Sequence, residues 1–104
     1  MKTSVMHKPL EVTKTIDWGT VPTMIIGESH ISGVVLHKGP KGQSECGLWI
    51  CTPGKWGCQV TSDEFCHFLE GWCTYVHESG DVIEITRDTV AFFPKGWKGV
   101  CTVH

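Results

Sequence analysis

Asp63-Glu64-Phe65-Cys66-His67-Phe68-Leu69-Glu70-Gly71 is the stretch on which the fold turns. Apolar and polar residues are mixed at strand spacing, which places Glu64 and Cys66 on one face and His67 on the other. Gly71 lies between two strand-like runs, where a residue free to adopt positive φ permits a bulge or a sharp bend. A second informative stretch is Phe93-Pro94-Lys95-Gly96-Trp97-Lys98-Gly99. Pro94 closes the apolar run before it, because a proline cannot donate to a central ladder.

Working outward, short apolar or β-branched runs fall at 31–37, 47–52, 56–61, 65–69, 72–77, 82–86, 89–93 and 97–103. Turn chemistry separates them: Lys38-Gly39-Pro40-Lys41-Gly42, Thr52-Pro53-Gly54, Thr61-Ser62-Asp63, Glu78-Ser79-Gly80-Asp81 and Pro94-Lys95-Gly96. The fourth of these reads as a hairpin turning at Gly80. No stretch of ten or more residues keeps a 3.6-residue period, so an all-β sandwich or barrel is expected. Residues 1–30 read as an N-terminal arm with edge strands, and 31–104 as the barrel.

Composition agrees. The chain has 104 residues, of which 40% are hydrophobic and 19% charged, a folding composition for one domain. The net charge is −2 with scattered basic residues, which argues against a nucleic-acid partner. No run approaches a membrane span, and the start of the chain has no apolar signal core, so a cytoplasmic location off the membrane is expected. Six cysteines (Cys46, Cys51, Cys58, Cys66, Cys73 and Cys101) remain to be explained. No two stand at C-x2-C spacing, and several sit in apolar runs. Reduced, packed thiols are the expectation; a disulfide framework and a metal or catalytic thiol are the alternatives.

The order of these pieces resembles a cupin, the small jelly-roll-like barrel also called a double-stranded β-helix. Glu64 followed by Gly71 matches the E-x6-G half of the first cupin motif, and Pro94-Lys95-Gly96 matches P-x-G of the second. Together with Gly47-Leu48-Trp49-Ile50-Cys51-Thr52-Pro53-Gly54, they resemble the small RmlC-like cupins. Within these the likeness is to the group of ureidoglycine aminohydrolase and the ethanolamine-utilisation cupin protein. The resemblance covers roughly residues 45–103 and implies one more short strand after the last matched one. It also implies a four-ligand metal site, of which only Glu64 is present. The motif-one histidines would fall at Cys58 and Val60, or at Gly57 and Gln59, and the motif-two histidine at Gly99. Where motif two opens with glycine, this chain has Asp88.

One carboxylate cannot hold a catalytic metal ion, so no cofactor is expected; a divalent metal on Cys58 and Glu64 is the alternative. Glu64 is the candidate catalytic acid/base. Trp49, Trp56, Cys58, Cys66, Tyr75, Phe93 and Trp97 are the candidate ligand-binding residues, since aromatic faces with a few polar groups line small-molecule sites. His30, His37 and His77 read as solvated. The functional expectation is a barrel that binds a small polar molecule without the usual metal, built as a homodimer. The alternatives are an enzyme acting on a small nitrogenous or sugar-acid substrate, and a structural or partner-binding barrel. Whether it is an enzyme stays open at this stage.

Overall fold

The structure is a computed structural model, and it describes residues 2–104. Ten strands follow one another: β1 (Ile16–Thr20), β2 (Met24–Ile26), β3 (His30–Lys38), β4 (Glu45–Cys51), β5 (Gly54–Gln59), β6 (Glu64–Phe68), β7 (Cys73–His77), β8 (Val82–Ile85), β9 (Thr89–Phe93) and β10 (Lys98–Val103). Two single 3-10 turns, Pro9–Glu11 and Pro40–Gly42, are the helical elements among the described residues. From β3 onward the strands fall where the turn residues divide the sequence. Gly80 makes the β7–β8 hairpin, donating its N–H to the His77 carbonyl at 2.8 Å.

All pairing is antiparallel. The strands form a five-stranded sheet in the order β2-β5-β10-β7-β8, a three-stranded sheet β1-β3-β4 and a two-stranded sheet β6-β9. The N-terminal segment therefore contributes to two sheets, β1 beside β3 and β2 beside β5. Alternation turns Trp56, Cys101, Cys73, Tyr75, Ile83 and Ile85 of the large sheet inward. There Phe68 of β6 and Ala91 of β9 pack against the buried core of Cys73, Ile85 and Cys101. Outward alternation leaves Phe65 and Phe92, cross-strand partners, in solvent with Val90.

The positions named by the cupin motifs have a common backbone reason. Gly71 has φ +96°, Gly96 has φ +90°, and Asp88, which stands at the motif-two glycine, has φ +61°. Aspartate tolerates the left-handed region better than most side chains, so the glycine geometry survives the change of residue. Asp88 then ties back to the outer face of the small sheet, accepting from His67 Nε2 at 2.8 Å.

All six cysteines are free. Cys73 and Cys101 are buried and pack as expected, whereas Cys46 is exposed on β4, so packing does not account for it.

Candidate functional site

The two motif stretches meet. Asp63 Oδ1 accepts the Lys95 backbone N–H at 2.9 Å, pinning the turn before β6 to the turn after β9. The second turn is also clamped to the residue after β5, where the Val60 N–H donates to the Trp97 carbonyl at 2.9 Å and the Val60 carbonyl accepts from the Gly96 N–H at 2.8 Å. This holds the start of β6 beside the wall carrying Trp97.

On the inner face of β6, Cys66 Sγ lies 3.4 Å from Glu64 Oε1. Burial, followed by the Glu64 carboxylate, pushes the Cys66 thiol up to about 12. The Cys58 thiol of β5 is raised by the same two causes in the same order, which brings Cys58, Glu64 and Cys66 into one electrostatic cluster. His67 points the other way, as alternation requires.

Beside this cluster stands an aromatic wall. Tyr75 and Phe93 have ring centroids 4.9 Å apart, Phe93 and Trp97 5.2 Å, and Tyr75 and Trp97 5.8 Å, with Trp97 edge-on to both. Phe93 is the cross-strand partner of Glu64, so the carboxylate and the wall share one end of the barrel. Burial raises the Tyr75 phenol above its ordinary value, as do Cys101 and Cys73 beneath it.

Residues 38–104 match the family model of the EutQ-like cupin domain. The chain belongs to that family. Among curated proteins none matches it. No helix among the described residues is long and apolar enough to cross a membrane.

The cupin motifs put the metal histidines at Cys58 and Val60, or at Gly57 and Gln59, and at Gly99. Cys58 faces inward directly opposite Gly99, so two of the expected ligand positions are cross-strand neighbours. A Cβ built on Gly99 would meet the Val76 carbonyl oxygen at 2.2 Å, Trp97 Cη2 at 2.7 Å and His77 Cα at 3.0 Å. The backbone of β7 therefore occupies the space a side chain at 99 would need. Among the described residues no group of three or more His, Cys, Asp or Glu is placed to hold a metal ion. The residues present do not fit the family's metal.

The other sequence candidates separate. Trp56 shares the inner face with Cys58 but sits deeper, against the Cys73–Ile85–Cys101 core. Trp49 lies apart from the cluster, 63% exposed, with its ring 6.2 Å from Trp18. His30 and His37 are exposed, but His77 is half-buried with its ring 5.3 Å from Trp97, because Gly99 beside it leaves room for the two rings.

Several residues at or near the interior were not singled out from sequence. Phe68 extends the aromatic wall, its ring 6.3 Å from Tyr75. The spacing signal existed, since Phe68 has the parity of Glu64 and Cys66. Ser29 gave no signal. It is 0% exposed, its Oγ fills the space a Cβ on Gly54 would need, and that Oγ lacks a hydrogen-bond partner, as does the buried Trp56 Nε1. Both polar groups face the Cys51 sulfur, whose thiol is raised by burial despite them.

Proposed function

We propose that this cupin binds a small polar metabolite at the barrel end formed by Glu64, Cys66, Cys58, Tyr75, Phe93 and Trp97, without the family's metal. The observation that carries the reading is the placement of Glu64. Glu64 stands exposed at the rim of the barrel on the same face of β6 as Cys66, accepts only from that weak donor, and forms no ion pair among the described residues. A carboxylate there is an acceptor in want of a donor. It favours ligands rich in N–H or O–H groups, such as ureido compounds, amines and sugars, whose flat or apolar sides suit the aromatic wall.

The site's thiols are neutral hydrogen-bonding groups at neutral pH, because burial and Glu64 hold their protons on. They contribute shape and weak donation to the ligand, not nucleophilic attack. The reading places the protein in the cytoplasm with a metabolite for a partner.

A thermal-shift series with ureido compounds, small amines and sugars tests this, since a ligand specific to the folded state raises Tm by mass action. The expected result is a concentration-dependent rise that Glu64→Gln abolishes. Binding undiminished in Glu64→Gln removes Glu64 as the contact and the reading with it.

A further inference from the structure

The barrel wall has a seam. β4 is the last strand of its sheet, and β6 pairs only with β9, so each presents one edge without a partner strand. Between them lies a slot of about 400 Å³. One side is made by the consecutive residues Leu48–Cys51 of β4 and the other by Phe68 at the end of β6 with Leu69–Gly71 of the loop after it, and Pro9, Leu10 and Val12 of the N-terminal segment also line it. A sheet face would present alternate residues. Four in a row on the β4 side means the slot runs along the edge of that strand.

The ladder fixes which groups point into it. Thr52 N–H donates to the His30 carbonyl at 3.0 Å, and the β3–β4 register runs unbroken from Ile31↔Cys51 to Val35↔Gly47. Antiparallel alternation then gives Ile50 and Leu48 to β3, and turns the N–H and C=O of Cys51 and Trp49 toward the slot. Natural edge strands are commonly guarded by proline, lysine or a bulge. β4 has neither residue, and its one charge is Glu45 at the start. The bulge in this ladder lies between Val35 and His37, at the far end from the slot. Trp49 and Ile50 are instead 63% and 41% exposed. The one charged residue lining the slot is Glu70.

We propose that the slot accepts an extended strand of a partner polypeptide, pairing with β4 through Trp49 and Cys51. Its apolar side chains alternate, and a lysine or arginine at its flank meets Glu70. Repeating donors and acceptors at strand spacing are satisfied by another backbone and not by a small solute, and the apolar lining selects the side chains. The slot-lining part of β4 is about 13 Å long at strand rise, so four to six partner residues engage it. The inference is independent of the Glu64 site, which lies at the start of β6 whereas the slot borders its end.

The probe is a synthetic peptide, acetyl-Lys-Val-Thr-Val-Thr-Val-Thr-amide, read by amide hydrogen exchange and calorimetry. The expected result is slowed exchange at Trp49 and Cys51, with binding weakened when the peptide's lysine is replaced by glutamate. A peptide with proline at its central valine should not bind. In the protein, Trp49→Pro removes an outward N–H that the β3 ladder does not use, so the variant keeps its fold and loses the peptide. Trp49→Ala retains the backbone donor and part of the affinity, which separates pairing from side-chain contact. Protection at β2 or β8, no protection at all, or equal binding of the proline peptide overturns the proposal. So does concentration-dependent protection of Trp49 and Cys51 without peptide, which assigns the slot to a second copy of the chain.

Discussion

Replacing Gly99 by alanine adds one methyl group and tests whether the family's metal position is closed. The new Cβ would lie 2.2 Å from the Val76 carbonyl oxygen, so relief requires β7 and β10 to part by more than 1 Å. That carbonyl belongs to a ladder in which Val76 faces Val100, and the second neighbour, Trp97, is held by its own backbone bonds to Val60 and Pro94. Neither yields cheaply. Overpacking of this kind costs about 1–3 kcal/mol, and in a domain near 100 residues each kcal/mol moves Tm by roughly 4–8 °C, giving a fall of roughly 5–20 °C. Gly57, on the neighbouring strand β5, is the internal control. Its added Cβ meets nothing nearer than Thr23 Cβ at 3.8 Å. Gly57→Ala should be neutral or gain about 0.4–1 kcal/mol by restricting the unfolded chain. Thermal melts by circular dichroism, with urea titrations to check two-state behaviour, read both. If Gly99→Ala melts within about 2 °C of the parent, or if Gly57→Ala is the more damaging, the closed-position argument is wrong.

The alkaline limb of stability reports on the thiols. Cys66 rises from 9.0 to about 12 on folding, so the unfolded chain loses this proton first. Its stabilisation is complete below pH 9 and lost as pH climbs toward 12. Cys66→Ala should flatten part of that decline in urea midpoints taken across the range, and an unchanged limb would contradict the assignment. In the core, Ile85 is 2% exposed, and Ile85→Ala should cost about 2–5 kcal/mol by denaturant titration. Val82→Ala on the same strand, 62% exposed, should stay within about 0.5 kcal/mol. Equal losses at the two positions would mean the inward face of β8 has been misassigned.

The strands were legible because proline, glycine and aspartate punctuate the chain wherever it must turn. Pro94 does end β9, Gly80 does make a hairpin, and the parity of Glu64, Cys66 and His67 holds in three dimensions. The parity argument also put Trp56 with Cys58 on one face, but it carried no depth, and depth separates the core tryptophan from the cluster at the barrel end. Trp49 shows the same limit. Its strand was recognised, but not that β4 ends its sheet and leaves that ring beside Trp18 in solvent. Strand order depends on pairings between distant segments, which local pattern does not encode. Ser29 is the extreme case, since its burial comes from the approach of Gly54, a residue 25 positions away in the chain. The seam between β4 and β6 was invisible for that reason too. His77 looked solvated because its sequence neighbours are turn residues, and the side-chain-free strip at Gly99 that shelters it lies on another strand.

The exposure of Cys46 has a practical side. Burial holds the protons on Cys51, Cys58 and Cys66, the hydrogen bond with Cys73 and then burial hold that on Cys101, and Cys73 is enclosed with Cys101 in the core. A thiol-reactive dye at neutral pH therefore meets one open sulfur, on the strand that borders the seam. The protein comes with its own attachment point for a fluorophore, five residues along the chain from the Cys51 amide, where a change of environment on strand capture would be seen without altering a single residue.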